Sequence, residues 1–320
     1  MSELRARARS VVEDRALTYH QRVARLAALA EESLEYPALS PACAEALEKR
    51  VICDMYEGPA PHRPRYLLPD YARALRQGST FLELDPPDDL DDALWFLLTL
   101  YTQIPSITGY PVYLGDLDRL LEPFVDDLDD AALTRSLRRF WIALDRVLPD
   151  AFVHANLGPD DTRVGRAALR IHRELRQVVP NLTLRVDPDR TPDDLLVEAV
   201  ETVFESAQPH FVDHRRLVAD LGPHYGVVSC YNSLLLGGGA HTLVRLNLKE
   251  AVLRHEGGAA SFIAEALPHW VELTAELAEA RIRYLVEEAG FYDSSWLAAE
   301  GLIDPDRFTA MFGVFALAEA

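Results

Sequence analysis

The chain has 320 residues, of which 49% are hydrophobic, so it is long enough to bury the core of one large domain or of two ordinary ones. Its formal net charge of −19 argues against binding to nucleic acid or to an anionic membrane surface, because both need basic patches. The longest apolar run, Leu94–Leu100, is too short to span a membrane.

The first third of the chain has mainly helical patterns. Residues 2–33 have the periodicity of one amphipathic helix. The proline-rich passage Glu57–Pro69 predicts irregular backbone, and a helix is expected to begin at Asp88–Asp89 and to run through Tyr101. We therefore expect residues 1–105 to form a mainly helical N-terminal lobe.

From residue 106 onward, short apolar runs alternate with longer amphipathic segments. Strands are predicted at 107–114, 151–157 and 181–186, and helices at 131–148, 164–178 and 191–207. Such alternation implies βαβ units and a largely parallel sheet. The predicted fold class is α/β, with residues 106–320 forming part of an α/β barrel.

The segment from Tyr225 to Glu250 carries the most specific pattern in the chain. An apolar, β-branched run leads into a predicted turn that contains Cys230, and three glycines follow at Gly237–Gly239. Apolar Val244, Leu246 and Leu248 then alternate with polar His241, Arg245 and Asn247. A lone thiol between a strand and a glycine-rich loop is placed where backbone can approach closely. Cys43 and Cys53 are expected to be inert, and the three cysteines form no paired framework, which is typical of a reducing cytoplasm.

This segment resembles the cysteine finger loop of glycyl radical enzymes, and most closely that of the YjjI family, which is related to pyruvate formate-lyase and anaerobic ribonucleotide reductase. Other long runs in the same order extend the resemblance over the chain, among them VICDMYEG at 51–58, YPVYLGDLDRLLEPF at 110–124 and PNLTLRVDPDRTPDDLL at 180–196. The run RFTAMFGVFALAEA at 307–320 is similar to a family segment that continues beyond it.

The resemblance implies a ten-stranded barrel of two half-barrels, in which a finger loop, here about residues 225–250, carries the reactive cysteine into the lumen. Cys230 matches that cysteine, and Gly237, Gly238 and Gly239 match the turn of the loop. In such enzymes a glycyl radical takes a hydrogen atom from the cysteine, and the resulting thiyl radical takes one from the substrate. This chemistry requires a desolvated thiol that is shielded from oxygen.

Two departures separate this loop from better known relatives. Ser229 stands where pyruvate formate-lyase has a second cysteine, so a thioester at that position is not expected. Asn232 stands where the radical dehydratases have a glutamate base, and an amide cannot exchange a proton near neutral pH. Asn232, His241, Arg245 and Asn247 are candidates for contacting a substrate, with a solvated or helix-capping role as the alternative for the last three. Asn156 and Asn181 are expected either to reach a lumen or to form turns.

The arginine-valine-x-glycine-aromatic signature of a glycyl radical loop does not occur in these residues. We therefore expect a truncated, N-terminal part of a cytoplasmic, anaerobic enzyme that is inactive alone. The expected partners are a radical S-adenosylmethionine activase, a possible separate C-terminal polypeptide that holds the glycyl radical, and a small-molecule substrate; neither nucleic acid nor a membrane is expected. Truncation would also leave an apolar edge exposed at Met311–Leu317.

Other interpretations stay open at the level of sequence. The chain could be a non-catalytic pseudoenzyme, or an acyl-transfer enzyme in which Cys230 is a nucleophile and His224 or His241 is its base. His210 and His214 have the spacing of a helical metal site, but Pro209 interrupts them and no metal site is predicted. The glycine run lacks the spacing of a phosphate-binding loop.

Overall fold

The computed structural model describes residues 2–55 and 57–318, which form two compact units. The first unit comprises Met1–Arg65, Ala240–Ser294 and Thr309–Ala320. The second comprises Tyr66–Gly239 and Ser295–Phe308. The boundary predicted at residue 105 falls inside the second unit, because the preceding helix packs there and the Tyr101 hydroxyl donates to the Leu114 carbonyl.

The described residues form ten strands and fifteen α-helices. The strands are β1 Ile52–Cys53, β2 Tyr66–Leu68, β3 Tyr113–Asp116, β4 His154–Leu157, β5 Asn181–Val186, β6 His210–Asp213, β7 Tyr225–Val228, β8 Asn232–Leu235, β9 Gly238–Asn247 and β10 Phe308–Phe315. The helices are α1 Ser2–Glu13, α2 Tyr19–Glu32, α3 Pro41–Glu48, α4 Tyr71–Gln77, α5 Leu90–Tyr101, α6 Leu117–Leu121, α7 Asp130–Val147, α8 Arg163–Leu175, α9 Asp193–Ser206, α10 His214–Leu221, α11 Leu248–Leu253, α12 Ala259–Ser261, α13 Leu267–Arg283, α14 Phe291–Ser294 and α15 Trp296–Ala299. In the described residues, no helix is both long and apolar enough to cross a membrane.

The second unit is built on the parallel sheet β3-β4-β5-β6. Its connections run through α6 and α7, then α8, then α9, so the predicted βαβ arrangement and α/β class are confirmed. Helices α7, α8 and α9 pack side by side, and the antiparallel hairpin β7–β8 packs against β3 and β4. This sheet and hairpin position the candidate site.

Two features of the fold differ from the prediction: a break within one helix and an additional strand. The single helix predicted over residues 2–33 is two helices, because Thr18 starts α2 with a capping box to Gln21. Strand β6 was not predicted, because it is only four residues long and runs directly into α10. His210 therefore begins a strand and His214 begins a helix, and the two do not share one helical face.

The first unit has the sheet order β1-β9-β10. β1 pairs antiparallel with β9, with Ile52 opposite Leu246 and Cys53 opposite Arg245. The alternation predicted from the sequence is present in β9, where Val244 and Leu246 are fully buried in a core that also contains Leu277 of α13. Leu248, predicted to continue the alternation, begins α11 instead.

Candidate functional site

Cys230 occupies the tip of the hairpin formed by β7 and β8. Val228 pairs with Asn232, so the turn consists of Ser229, Cys230 and Tyr231. Ser229 has φ 52° and Tyr231 has φ 66°, which places a left-handed residue on each side of the cysteine. Such backbone costs about 1 kcal/mol or more per residue and persists only where the surroundings hold it. The tip must therefore be fixed by contacts with the rest of the unit.

Asn156 of β4 clamps the hairpin below its tip. Its side-chain nitrogen donates to the Val227 carbonyl at 2.9 Å, and its side-chain oxygen accepts from the Val227 amide at 2.8 Å. Asn156 is fully buried. The amide side chain thus satisfies both backbone groups of one hairpin residue, as a neighbouring strand would.

His154, two residues earlier on the same face of β4, holds the turn itself. Its Nδ1 lies 3.3 Å from the Ser229 carbonyl and its Nε2 lies 2.7 Å from the Thr183 hydroxyl. A carbonyl can only accept, so Nδ1 carries the proton and Nε2 accepts from Thr183. Burial lowers the pKa of His154 to about 4, so the imidazole is neutral at pH 7.

Tyr66 contacts the turn from β2. Its hydroxyl donates to Ser229 Oγ at 3.1 Å, and Ser229 Oγ lies 3.7 Å from Cys230 Sγ. Among the described residues, the Ser229 hydroxyl is the hydrogen-bonding partner of Sγ. The expectation of a desolvated thiol is not met by this chain, because Cys230 is exposed.

The ring of Tyr231 packs on the amino-terminal ends of two strands. It lies edge-on to His154, with the centroids 5.7 Å apart, and tilted on His210 at 4.4 Å. His214, at the other end of β6, instead bonds through Nδ1 to the Tyr225 hydroxyl at 2.8 Å. His210 and His214 therefore contact opposite ends of the hairpin, at Tyr231 and at Tyr225.

The three glycines follow the hairpin and do not form its tip, contrary to the expected finger turn. Gly237 has φ 72° and joins β8 to β9. A Cβ at Gly238 would lie 2.1 Å from the Arg307 carbonyl oxygen, and one at Gly239 would lie 1.9 Å from the Tyr66 carbonyl oxygen. These glycines therefore permit the close backbone approach that the sequence predicted at this loop.

The candidate substrate-contacting residues are distributed over both units. Asn232 is half-buried at the start of β8, beside the tip. His241 bonds through Nε2 to the Tyr292 hydroxyl at 2.9 Å, and the guanidinium of Arg245 lies over the Phe315 ring at 4.9 Å, both within the first unit. Asn247 has the capping role left open above, because its side chain accepts from the Glu250 amide at the start of α11.

Sequence reasoning missed His154, Thr183 and Tyr66 as supports of the cysteine, and left Asn156 between two roles. One signal was present: His154 and Asn156 are polar residues two apart within an apolar strand, and therefore on one face. Asn181 does not reach this site, because its side chain donates to the Ala151 carbonyl beside its own strand.

Comparison with known proteins identifies relatives over the whole chain. Residues 17–320 match the family described as "Glycyl radical enzyme YjjI-like". The chain is 48% identical over 320 residues to the uncharacterized protein YjjI of Escherichia coli K12, covering 99% of this chain and 61% of that protein. It is 41% identical over 307 residues to an uncharacterized protein of Haemophilus influenzae, covering 95% and 59% respectively. The chain thus spans about three fifths of the length of these relatives.

Solved structures share the fold at low sequence identity. The anaerobic ribonucleotide reductase of Thermotoga maritima, with citrate in its active site, aligns with a TM-score of 0.73 at 14% identity, over 98% of this chain and 67% of that one. The glycerol-bound B12-independent glycerol dehydratase of Clostridium butyricum aligns with a TM-score of 0.64 at 11% identity, over 89% and 52%. These alignments show the architecture of a glycyl radical enzyme barrel.

Proposed function

The chain belongs to the family of YjjI-like glycyl radical enzymes, and from this we propose that it contributes Cys230 as the hydrogen-abstracting residue in thiyl-radical chemistry on a small substrate. The observation that carries the proposal is the position of Cys230 at the tip of a hairpin that His154, Asn156 and Tyr66 hold against the sheet. A reactive atom at a fixed tip is what transfer of a hydrogen atom over a short distance requires.

The thiol environment fits a hydrogen-atom donor. A glycyl radical, when present, supplies the one-electron oxidant that removes the thiol hydrogen. The neighbour of Sγ is the Ser229 hydroxyl, and the tip is accessible to a second group. We propose that the radical-bearing glycine lies outside these 320 residues, on the same polypeptide or on a separate one, and that it covers the exposed thiol. A radical S-adenosylmethionine activase would install the radical.

On the substrate side, Cys230 breaks one C–H bond as an S–H bond forms. Ser229 offers no second thiol for a thioester, and Asn232 offers no carboxylate base, so the reaction follows neither of those two patterns. We further propose an anaerobic reaction in the cytoplasm, where the three free cysteines stay reduced.

A polar mechanism with Cys230 as nucleophile is less consistent with the geometry. His224 precedes β7 at the base of the hairpin, roughly 20 Å from the tip at about 3.3 Å of rise per residue. His154 is nearer, but both of its ring nitrogens are already hydrogen bonded, to Ser229 and Thr183. Neither His224 nor His154 is therefore placed to accept a proton from Sγ, and Nε2 of His241, the other base considered, is hydrogen bonded to the Tyr292 hydroxyl.

The decisive experiment follows the thiol hydrogen. The chain is incubated anaerobically with an activase, S-adenosylmethionine and a polypeptide containing the remaining part of the Escherichia coli relative, in water and in D₂O. A glycyl radical gives a doublet EPR signal, because the unpaired electron couples to the hydrogen left on Cα. A thiol exchanges its hydrogen with solvent, so reversible transfer to Cys230 replaces that hydrogen with deuterium and collapses the doublet.

Cysteine variants make the assignment specific. Cys230→Ser should keep the doublet in D₂O, whereas Cys53→Ser, at a half-buried cysteine of the first unit, should lose it as the unmodified chain does. A doublet that collapses in the Cys230→Ser protein would exclude Cys230 as the transfer residue. Absence of any radical signal with the unmodified chain would count against the whole assignment.

A further inference from the structure

A cavity of about 400 Å³ lies at the base of the hairpin, at the carboxyl edge of the parallel sheet and opposite Cys230. Its walls come from the second unit: the end of β3, the start of α4, the loop after β5, the start of α10 and the residues that flank the hairpin. The volume falls within the usual range for small-molecule sites. Pro223, His224 and Leu236 of the hairpin base line it.

The lining is cationic although the protein is strongly acidic. It contains Arg76, Arg119, Arg190 and Arg307, against the carboxylates Asp70 and Asp116. The guanidinium groups of the lining outnumber its carboxylates by two, and Arg190 and Arg307 pair with Asp160 and Asp304 outside it. A cationic lining in a chain whose net charge is −19 favours an anionic ligand over a cationic or neutral one.

The two carboxylates are already engaged. Asp116 pairs with the fully buried Arg185 at 2.9 Å and accepts from the Tyr113 hydroxyl at 2.9 Å. Asp70 caps α4 by accepting from the Arg73 amide. Asp116 is therefore already paired with a cation outside the lining, and Asp70 remains as the one carboxylate of the lining without a cationic partner in the described residues.

Two of the arginines are available to a ligand. Arg76 is exposed and forms no ion pair with any residue in 2–55 or 57–318. Arg119 lies 4.0 Å from Asp116, a carboxylate that Arg185 already holds. By contrast, Arg190 is paired with Asp160 through two bonds, and Arg307 donates to the Leu236 carbonyl.

The neighbouring histidine does not repel these arginines. His214 Nε2 lies 3.4 Å from Arg190 Nη1, so it accepts from a group that can only donate. Burial, with Arg185 and Arg190 nearby, lowers the pKa of His214, which keeps its ring neutral at pH 7. The cavity thus combines available guanidinium groups with a neutral wall of Tyr71, Tyr113 and His214.

We propose that this cavity binds a small oxyanion, a carboxylate or a phosphate, held by Arg76 and Arg119. Guanidinium groups bind both oxyanions through paired, charge-assisted hydrogen bonds. The site is separate from Cys230 and does not depend on radical chemistry, since it lies at the opposite end of the hairpin. Its ligand would contact the hairpin base directly.

The test is calorimetric titration of the 320-residue protein with sodium phosphate and, separately, with sodium succinate, at constant ionic strength. At least one probe should bind saturably at one site, and the probe that binds identifies phosphate or carboxylate as the preferred chemistry. The double variant Arg76→Ala, Arg119→Ala should weaken that binding tenfold or more.

Arg216→Ala provides the matched control. Arg216 is an exposed arginine of the same unit that pairs with Asp220 outside the cavity, so its loss should leave the affinity unchanged. Circular dichroism would confirm that each variant keeps the native fold. Failure of both probes to bind, or equal affinity in the double variant and the unmodified protein, would overturn the proposal.

Discussion

At the scale of single residues, His154 shows how burial fixes the protonation state of a side chain that contacts the turn around Cys230. It is fully buried, it holds the Ser229 carbonyl, and it is neutral because its pKa is about 4. An imidazolium at this point would lose the acceptor that Nε2 offers to Thr183. The network is therefore intact only while the ring is unprotonated.

Replacing His154 with asparagine should flatten the dependence of stability on pH. The unfolded chain takes up a proton below the ordinary histidine pKa of about 6.5, whereas the folded chain does so only near 4. Stability is therefore lost as the pH falls through this window. From about pH 7 to pH 5 the unmodified protein should lose about 2 kcal/mol more than His154→Asn.

Urea denaturation at the two pH values measures this difference. Asparagine keeps a donor for the Ser229 carbonyl but does not titrate, and all other titrating groups, including the buried His172, are common to both proteins. Equal pH dependence in the two proteins would show that His154 is not held neutral by the fold.

The three thiols should react with iodoacetamide in an order set by exposure. Cys230 is exposed and should react first, Cys53 is half-buried, and Cys43 is fully buried. Burial also raises the pKa of Cys43 to about 11, which leaves little thiolate to react at about pH 8. Mass spectrometry of a time course gives the three rates, and a rate for Cys43 that matches Cys230 would contradict the structure.

Cys230 lies at a turn, as predicted from the sequence, but its thiol is exposed and not desolvated as expected. The turn follows from local pattern, whereas exposure depends on what surrounds the tip, which no local pattern reports. The same limit hid the supports of the site: Thr183 is a β-branched residue in an apolar strand, and nothing in its neighbourhood signals a bond to His154. The one sequence feature that indicated these supports was the pair of polar residues, His154 and Asn156, spaced two apart in the apolar strand β4.

At the scale of elements, the side-chain amide of Asn156 makes two of the hydrogen bonds that attach the hairpin to β4. Asn156→Ala would remove both bonds to Val227 and leave its buried backbone groups without partners, at about 1–3 kcal/mol for each unsatisfied group. We expect faster hydrogen exchange in residues 225–235. Asn247→Ala is the control, because that asparagine caps α11 and its loss should affect only the residues of that helix.

Exchange measured by mass spectrometry distinguishes the two outcomes peptide by peptide. Protection of residues 225–235 that is unchanged in Asn156→Ala would mean that the hairpin is held by other contacts, among them those of His154 and Tyr66. In that case the clamp would be redundant for local stability.

The junction after the hairpin should tolerate no side chain. Gly239→Ala would place a Cβ 1.9 Å from the Tyr66 carbonyl oxygen, so the backbone must shift, and we expect a loss of more than about 2 kcal/mol in the free energy of unfolding. Gly109→Ala, where nothing lies within 4 Å of the added Cβ, should change stability by less than about 0.5 kcal/mol. Similar losses in both variants would show that the close approach is not real.

The regular elements of the second unit were largely predictable from periodicity. The predicted strand at 181–186 is confirmed residue for residue, and the helices at 131–148 and 164–178 are confirmed within three residues at their ends. Strand β6 was not predicted because four residues are too few to show the alternation of polar and apolar side chains that marks a strand. The break after α1 depends on one capping threonine, Thr18. It was not predicted because the helical periodicity of apolar residues continues across it.

At the scale of the whole molecule, the chain crosses between its two units several times, so neither unit is one continuous segment. A single domain boundary placed along the sequence cannot describe this arrangement. Local composition shows where helical patterns give way to alternating ones, but not which distant segments pack into the same unit. Most of the strand that carries His241 and Arg245 belongs to the first unit, although it follows the β7–β8 hairpin directly in sequence.

Self-association is expected from the edge of the first unit's sheet. Among the described residues β10 is an edge strand, and Phe312 and Val314 on it are each 51% exposed, within the stretch where the sequence predicted an apolar edge. Val314→Lys should lower association at high protein concentration, as measured by analytical ultracentrifugation. Val12→Lys, at a valine of α1 that is 55% exposed, should not lower association, and equal association in both variants would exclude the edge as the contact.

The β7–β8 hairpin connects the cationic cavity to the reactive cysteine. One end, near His224, borders the cationic cavity, and the other end carries the thiol. Because His154 and Tyr66 also hold the tip, a ligand at the base would move the sulfur atom only by displacing these bonds. The alkylation rate of Cys230 would then serve as a readout of whether the distant cavity is filled.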